Sequence, residues 1–271
     1  MSVQSPPLIA GLLVFFALVS EWLWSIRHRR TVYHFPELCC NGLIFLGGAV
    51  LKATAASWAI WLYSQAVPLA WIGLPETAGV FLLTLVMTDF AYYWYHRLNH
   101  EVAALWALHH THHSSPWLNL TTAVRLNWLG KFISPLFFLP LVILGLPFQF
   151  VGLSLGAVLF YQFFLHTQAV PSLGKWEGVF FNTPSAHRVH HGSNPRYIDR
   201  NYGGILVVWD RLFGTYTAET ETVRFGVTTG SMGYHPLTVQ FRPVWQLLKG
   251  DWRREKHRQR QLDSNHESES A

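Results

Sequence analysis

The sequence predicts an all-α integral membrane protein of about four to five transmembrane helices, with a cytosolic helical cap carrying a histidine-rich dimetal site. Three observations predict it. Half of the 271 residues are hydrophobic and only 13% are charged, against roughly a quarter in an ordinary soluble domain. The apolar residues are gathered into runs long enough for a bilayer. Nine of the fifteen histidines fall in three windows of five residues each.

About 20 helical residues cross a hydrocarbon core, and five runs qualify. The first, 6–25, has no basic stretch ahead of it and is followed by Arg27-His28-Arg29-Arg30. That order predicts a retained membrane helix with a cytoplasmic C-terminal end, and no cleaved leader. The second, 39–64, holds the only cysteines, Cys39 and Cys40, whose apolar setting predicts buried thiols without a disulfide framework. Lys52 lies midway along it with no partner that the sequence reveals. The third run is 77–98. The fourth, 131–146, carries Pro135 and Pro140, and Leu146-Pro147 turns it into the fifth, 148–167, so these two form a pair of spans or a deep hairpin.

Segments 65–75 and 146–148 contain no Lys or Arg, whereas Arg97, Arg125, Lys131, Lys175, Arg188, Arg196 and Arg200 lie at the opposite ends of the runs. This bias places the histidine windows on the cytoplasmic side, with a bacterial inner membrane expected over the endoplasmic reticulum. Residues 1–74 are expected to be N-terminal transmembrane helices and 75–248 a catalytic domain, its cap built from 99–130 and 168–248. Residues 249–271 read as a polar, disordered tail. The net charge of +5 does not indicate nucleic acid, because the basic residues flank apolar runs, where they meet anionic headgroups.

The windows are His96–His100, His109-His110-Thr-His112-His113 and His187-Arg-Val-His190-His191. Residues at i, i+3 and i+4 share a helix face, so each window turns two or three imidazoles toward one point. Eight ligands, His96, His100, His109, His112, His113, His187, His190 and His191, exceed what one zinc ion takes and suffice for two ions. Haem needs one or two axial ligands and explains neither number nor spacing. His110 points off the shared face, and isolated histidines such as His28 and His235 read as surface or capping residues. His166, at the end of the fifth run, is costly in a membrane unless paired and is a candidate ninth ligand, with Gln162 one turn earlier. Ligating imidazoles usually donate their second N–H to a carboxylate or carbonyl. Asp89, Asp199, Asn201 and Asp210 are the candidates for that role. A nitrogen-rich, redox-capable pair of ions suits O2 activation. A zinc hydrolase would need Glu101 or Glu177 as general base, and a metal transporter would favour ligands near the bilayer midplane.

The run from Asp89 through His96-Arg97-Leu-Asn-His100, then His109-x-x-His112-His113, then Thr183-Pro-Ser-Ala-His187-Arg188-Val-His190-His191 and Asn201-Tyr-Gly-Gly, resembles the fatty acid hydroxylase superfamily, also called the sterol desaturase family. The resemblance covers roughly residues 75–240. It implies two iron ions held by histidine, O2 as oxidant, a separate electron donor, and hydroxylation or desaturation of a membrane lipid. The third motif and its sequel are most similar to the ether-lipid-cleaving members, which implies tetrahydrobiopterin as a further cofactor. Tyr93, Trp94 and Phe160 are expected to line the approach of the lipid chain.

Overall fold

The computed structural model describes residues 6–250, with side chains from Leu8 onward. The tail expected from 249 lies, beyond Gly250, outside the described residues. Ten α-helices account for most of the rest: α1 (Pro6–Arg27), α2 (Phe35–Val50), α3 (Lys52–Ala66), α4 (Ala78–Glu101), α5 (Ala103–His113), α6 (Gly130–Ile143), α7 (Phe148–Phe163), α8 (Pro184–His190), α9 (Val208–Leu212) and α10 (Pro236–Leu248). No β-strand occurs among the described residues; two isolated bridges, Phe181 with Leu206 and Gly192 with Phe225, pin loops together.

Only one described helix, Leu8–Arg27, is long and apolar enough to cross a membrane alone. The expected second span is broken: α2 and α3 meet at 49°. The break follows Gly47-Gly48, and small residues are a recognised cause of sharp bends. Both glycines also admit neighbours. A Cβ on Gly47 would lie 2.3 Å from the Trp128 ring, and one on Gly48 would lie 3.1 Å from Cε of Lys131. Helices α6 and α7 have fourteen and sixteen residues, roughly 21 and 24 Å of helix against a core of about 30 Å. Each is thus shorter than the core thickness. Helix α4 has ample length at 24 residues, but Thr84, Thr88, Asp89, His96, Asn99 and His100 line its packed face and lower its hydropathy.

Helix α4 is the hub. It packs against α5, α6 and α7, while α3 lies on α6 and α10 covers α5 and α2. Tyr63, Tyr92, Phe138, Leu141, Val151 and Val158 form the apolar core beneath the histidines. The outer faces of α1, α2, α3 and α7 stay bare: Phe16, Leu46, Trp61 and Leu153 are each more than half exposed. Apolar surface on this scale marks contact with lipid or with another protein.

Two buried charges tie α1 and α2 to the segments around the histidine windows. Glu21 of α1 accepts from Tyr33 Oη (2.6 Å), the Leu120 N–H (2.9 Å) and Thr167 Oγ1 (2.5 Å), next to His166. Arg125, fully buried, pairs with Glu37 of α2 at 3.0 Å. It also donates to Thr111 O (2.9 Å), Asn41 Oδ1 (2.9 Å) and Ser114 Oγ (3.0 Å), gripping the last turn of α5. Removing one partner of such a buried pair costs about 3–5 kcal/mol.

Candidate metal centre

Three helix ends bring the imidazoles together. Helix α4 delivers His96 and His100 one turn apart, then stops at Val102, whose extended backbone turns the chain straight into α5. The last turns of α5 present His109, His112 and His113. Helix α8 starts with Thr183, whose hydroxyl accepts from the Ala186 N–H, and with Pro184 in the first turn, the pairing that favours a helix start. It then offers His187 and His190, with His191 at its C-cap. Arg188 points the other way. It pairs with Glu219 at 2.7 Å and donates to Thr167 O (3.1 Å) and Val170 O (2.7 Å), locking α8 onto the segment after His166.

All nine histidines singled out in the sequence lie in two groups: His96, His100, His109, His113 and His190 in one, and His112, His166, His187 and His191 in the other. Within each group the nearest ring nitrogens lie within 4.8 Å of one another, and only His109 is less than fully buried. His110 belongs to neither; its Nε2 lies 3.4 Å from Thr229 Oγ1. Neither group includes a carboxylate or thiolate.

The tautomers follow from the acceptors. His96 Nδ1 donates to Tyr202 O (2.9 Å), His190 Nδ1 to Arg200 O (2.9 Å) and His166 Nδ1 to Gln162 O (2.7 Å). A carbonyl only accepts, so each of these neutral rings carries its proton on Nδ1 and turns a bare Nε2 lone pair inward. Those inward nitrogens crowd one another: His96 to His109 at 3.2 Å, His113 to His109 at 3.1 Å, His112 to His166 at 3.1 Å and His166 to His187 at 3.0 Å. Nε2 of His190 and of His191 are buried with no hydrogen-bond partner. Ligands ~2.1 Å from one ion sit ~3.0 Å apart along a right-angled edge, so these spacings suit a cation at each centre. Burial first, and neighbouring imidazoles second, hold His109, His112, His113, His187, His190 and His191 well below the ordinary imidazole range. They are neutral and ready to ligate, a donor set that suits Fe, Cu, Ni or Zn.

One short segment backs three rings of the first group. Asp199 and Asn201 have positive φ (57° and 56°), which Asp and Asn tolerate better than most residues. The zigzag faces the Asp199 carboxylate to His100 Nδ1 (3.3 Å), the Arg200 carbonyl to His190 and the Tyr202 carbonyl to His96. Asn201 itself touches no imidazole through a hydrogen bond; it donates to Ala186 O (2.9 Å) and Thr217 O (2.8 Å), tying this segment to α8.

Asp89 corrects the sequence expectation. Its carboxylate accepts from the N–H groups of Ile205 (2.6 Å) and Leu206 (3.1 Å) and from Trp209 Nε1 (2.9 Å), and so orients a loop instead of a ring. Asp210 grips the same loop from the other side, accepting from the N–H groups of Tyr202 and Gly203, both at 2.7 Å. The two glycines between them are required by these carboxylates. A Cβ on Gly203 would lie 2.8 Å from Asp210 Oδ2, and one on Gly204 would lie 2.4 Å from Asp89 Oδ1. Gln162 also acts otherwise than expected: its backbone carbonyl holds His166, while its side-chain Oε1 accepts from Tyr92 Oη (3.1 Å).

A cavity of about 170 Å³ opens beside the groups. His109 and His112, one from each group, form part of its wall, and Tyr92, Tyr95, Phe138, Leu155 and Leu159 supply apolar lining. The aromatic approach expected from Tyr93, Trp94 and Phe160 is thus displaced. Tyr93 is turned about 100° from Tyr92 on the helix and stacks on Phe213 instead, while Trp94 and Phe160 face outward. Trp106 escaped the sequence reading: its ring centroid lies 5.0 Å from that of His100 and 5.5 Å from that of His113.

An all-helical scaffold that buries two carboxylate-free clusters of neutral imidazoles defines a class, the histidine-rich helical proteins able to hold a pair of metal ions. Residues 81–215 match the fatty acid hydroxylase family model. Alkylglycerol monooxygenase of Xenopus tropicalis is 42% identical over 243 residues, 89% of this chain and 53% of that protein. The ornithine lipid hydroxylase OlsE of Rhizobium tropici is 35% identical over 72% of this chain and 60% of its own length. A Delta(7)-sterol 5(6)-desaturase of Aspergillus fumigatus, erg3B, is 30% identical over 49% of this chain and 38% of its own length. No solved structure matches. The chain belongs to the fatty acid hydroxylase family. It spans about half the length of the alkylglycerol monooxygenases it matches.

Proposed function

We propose that this protein is a membrane-bound, non-haem diiron oxygenase that hydroxylates a lipid C–H bond with O2 and electrons from a separate donor. The observation that carries the reading is the division of nine imidazoles into groups of five and four, with the ring nitrogens of each group within 4.8 Å of one another, a spacing that suits one cation in each. Iron bound there would supply the O2 chemistry that acid–base side chains lack. The chain's own part is to fix ring tautomers through the carbonyls of Tyr202, Arg200 and Gln162, to keep the rings neutral by burial, and to seat the substrate. The cavity touches one imidazole of each group, so a chain lying in it runs past both centres, and reactive geometry depends on holding the target carbon within a few Å.

Hydrolysis lacks its base. Glu101 is paired with Arg97 at 2.8 Å, and Glu177 is engaged by Thr183 and by the Leu173 N–H; neither joins a histidine group. Transport is disfavoured because the imidazoles cluster at helix ends instead of along a path. The bare outer faces of α1, α2, α3 and α7 support membrane insertion, and the basic residues near the histidine windows support a cytoplasmic site.

Among lipid substrates, an alkylglycerol ether is favoured by the relatives whose alignment covers 89% of the chain, and with it tetrahydrobiopterin as reductant. The test is metal content of protein purified anaerobically in detergent, followed by O2-dependent turnover of alkylglycerol with and without tetrahydrobiopterin. Two irons per chain are expected, falling to about one in His187→Ala, a change in the group of four rings. One zinc and no iron would overturn the reading.

A further inference from the structure

The sequence leaves Lys52 stranded midway along an apolar run, and the fold gives it a neighbour. The break between α2 and α3 falls at this residue. Lys131, at the start of α6, lies against α2, its Nζ 3.5 Å from where a Cβ of Gly48 would stand, four residues before Lys52. Burial first, and the charge of Lys52 second, disfavour the ammonium form of Lys131. Among the described residues no carboxylate reaches either one within ion-pair distance: the four ion pairs there use Arg97, His100, Arg125 and Arg188. Lys131 is half-buried, Lys52 exposed, and Lys131 forms part of the same cavity wall as His109 and His112. Asn127 and Ser134 add polar atoms beside it.

Two like charges brought together at the edge of an apolar cavity are unfavourable without an anion between them. Glycine at position 48 leaves this approach unhindered, since a Cβ there would stand 3.1 Å from Cε of Lys131. We propose that Lys131 and Lys52 bind the anionic head of an amphiphile, a phosphate or a carboxylate, while its apolar chain occupies the cavity past His109 and His112. The inference rests on reading that cavity as the substrate chamber, and within the ether lipids it favours those whose head carries a negative group over the neutral alkylglycerol. Lys131 is the principal contact, since it lines the cavity; Lys52 adds charge from behind.

The experiment is equilibrium binding of labelled dodecyl phosphate and dodecanol to the full chain in a neutral detergent, at low and high salt. Dodecyl phosphate is expected to bind more tightly, with an advantage that shrinks as salt rises. Lys131→Gln should weaken it about tenfold, in the range of a lost charge-assisted hydrogen bond. Lys52→Gln should weaken it less, Lys131→Arg should preserve it, and dodecanol binding should change in none of them. Ser134→Phe, which fills the cavity, should weaken both ligands. Equal affinity for the two ligands, or indifference of dodecyl phosphate to both lysine substitutions, would overturn the proposal. Displacement by inorganic phosphate at matching concentration would also overturn it, by making this a free-anion site. Binding as expected in a protein without O2-dependent turnover would sink the oxygenase reading and leave the headgroup site standing.

Discussion

The two imidazole groups lie side by side yet are supported in different ways. The first has five rings, three of them braced by a loop: Asp199 and the carbonyls of Arg200 and Tyr202 meet His100, His190 and His96. That loop is held in turn by Asp89 and Asp210. The second has four rings, and the brace on His166 comes from the carbonyl of Gln162 in its own helical turn. The first group also meets the partly buried ring of Trp106; every ring of the second is buried. One group thus has five rings and depends on a distant loop, while the other has four and depends on local helix geometry. Sensitivity to mutation should divide along the same line.

The largest difference is expected from deleting a ligand in each. His187→Ala leaves three rings in the second group, an open arrangement that holds metal less firmly, whereas His100→Ala leaves four in the first. Metal analysis should find about one ion per chain in the former and about two in the latter, the second lost more readily to a chelator. Equal retention in both would mean that the groups do not hold separate ions. Next comes the loop. Gly204→Ala forces a Cβ to 2.4 Å from Asp89 Oδ1 and 2.9 Å from Val158 Cγ1, an overpacking that should cost about 1–3 kcal/mol. The melting temperature should fall by several degrees, and metal should leave the first group alone. Combined with His187→Ala it should empty the protein, since distant effects add. Combined with His96→Ala it should remove little more than either change by itself.

These contrasts also explain what the sequence made legible. The grouped histidines stand out because eight of the nine recur at three and four residues within short windows, as one helix face requires. His166 was recognisable from the cost of an imidazole at the end of an apolar run. The braces were hidden because most are main-chain carbonyls, which every residue carries. Asp199 and Asn201 hint at the zigzag only through their tolerance of positive φ, and Gly203-Gly204 only through their lack of a Cβ. Asp89 could be seen to matter but not to act on a loop 116 residues later. The cavity wall was misplaced by one residue on α4, from Tyr92 to Tyr93, which on a helix is a turn of about 100°. The break at Lys52 needed the partner: Gly47-Gly48 suggests flexibility alone, and only Trp128 and Lys131 seated against those glycines show why it bends there.

A smaller effect is expected from pH on the metal-free protein. Six rings, from both groups, have their proton affinity depressed in the fold relative to about 6.5 in the unfolded chain. Below that value the unfolded state binds more protons than the native one, so stability is lost as pH falls and regained as it rises. Thermal unfolding of apoprotein at pH 5.5 should begin at lower temperature than at pH 7.5, and bound metal should mute the difference. A transition indifferent to pH over this range would contradict the neutral, buried state assigned to the rings.

The smallest effect is expected where the second group's brace is main chain. Gln162→Leu removes the acceptor for Tyr92 Oη but leaves the carbonyl that receives His166 Nδ1. The cost should stay near 1 kcal/mol, the net worth of one ordinary hydrogen bond, and both ions should remain. Gln162 Nε2 is itself buried without a partner, so leucine relieves a desolvated donor as it removes an acceptor, and the two changes oppose each other. Retention of two ions with a melting temperature lowered by only a few degrees fits a centre braced by its own helical turn. Loss of one ion would show instead that the Gln162 side chain supports the second group, making the two centres alike in their dependence on side-chain contacts beyond the rings.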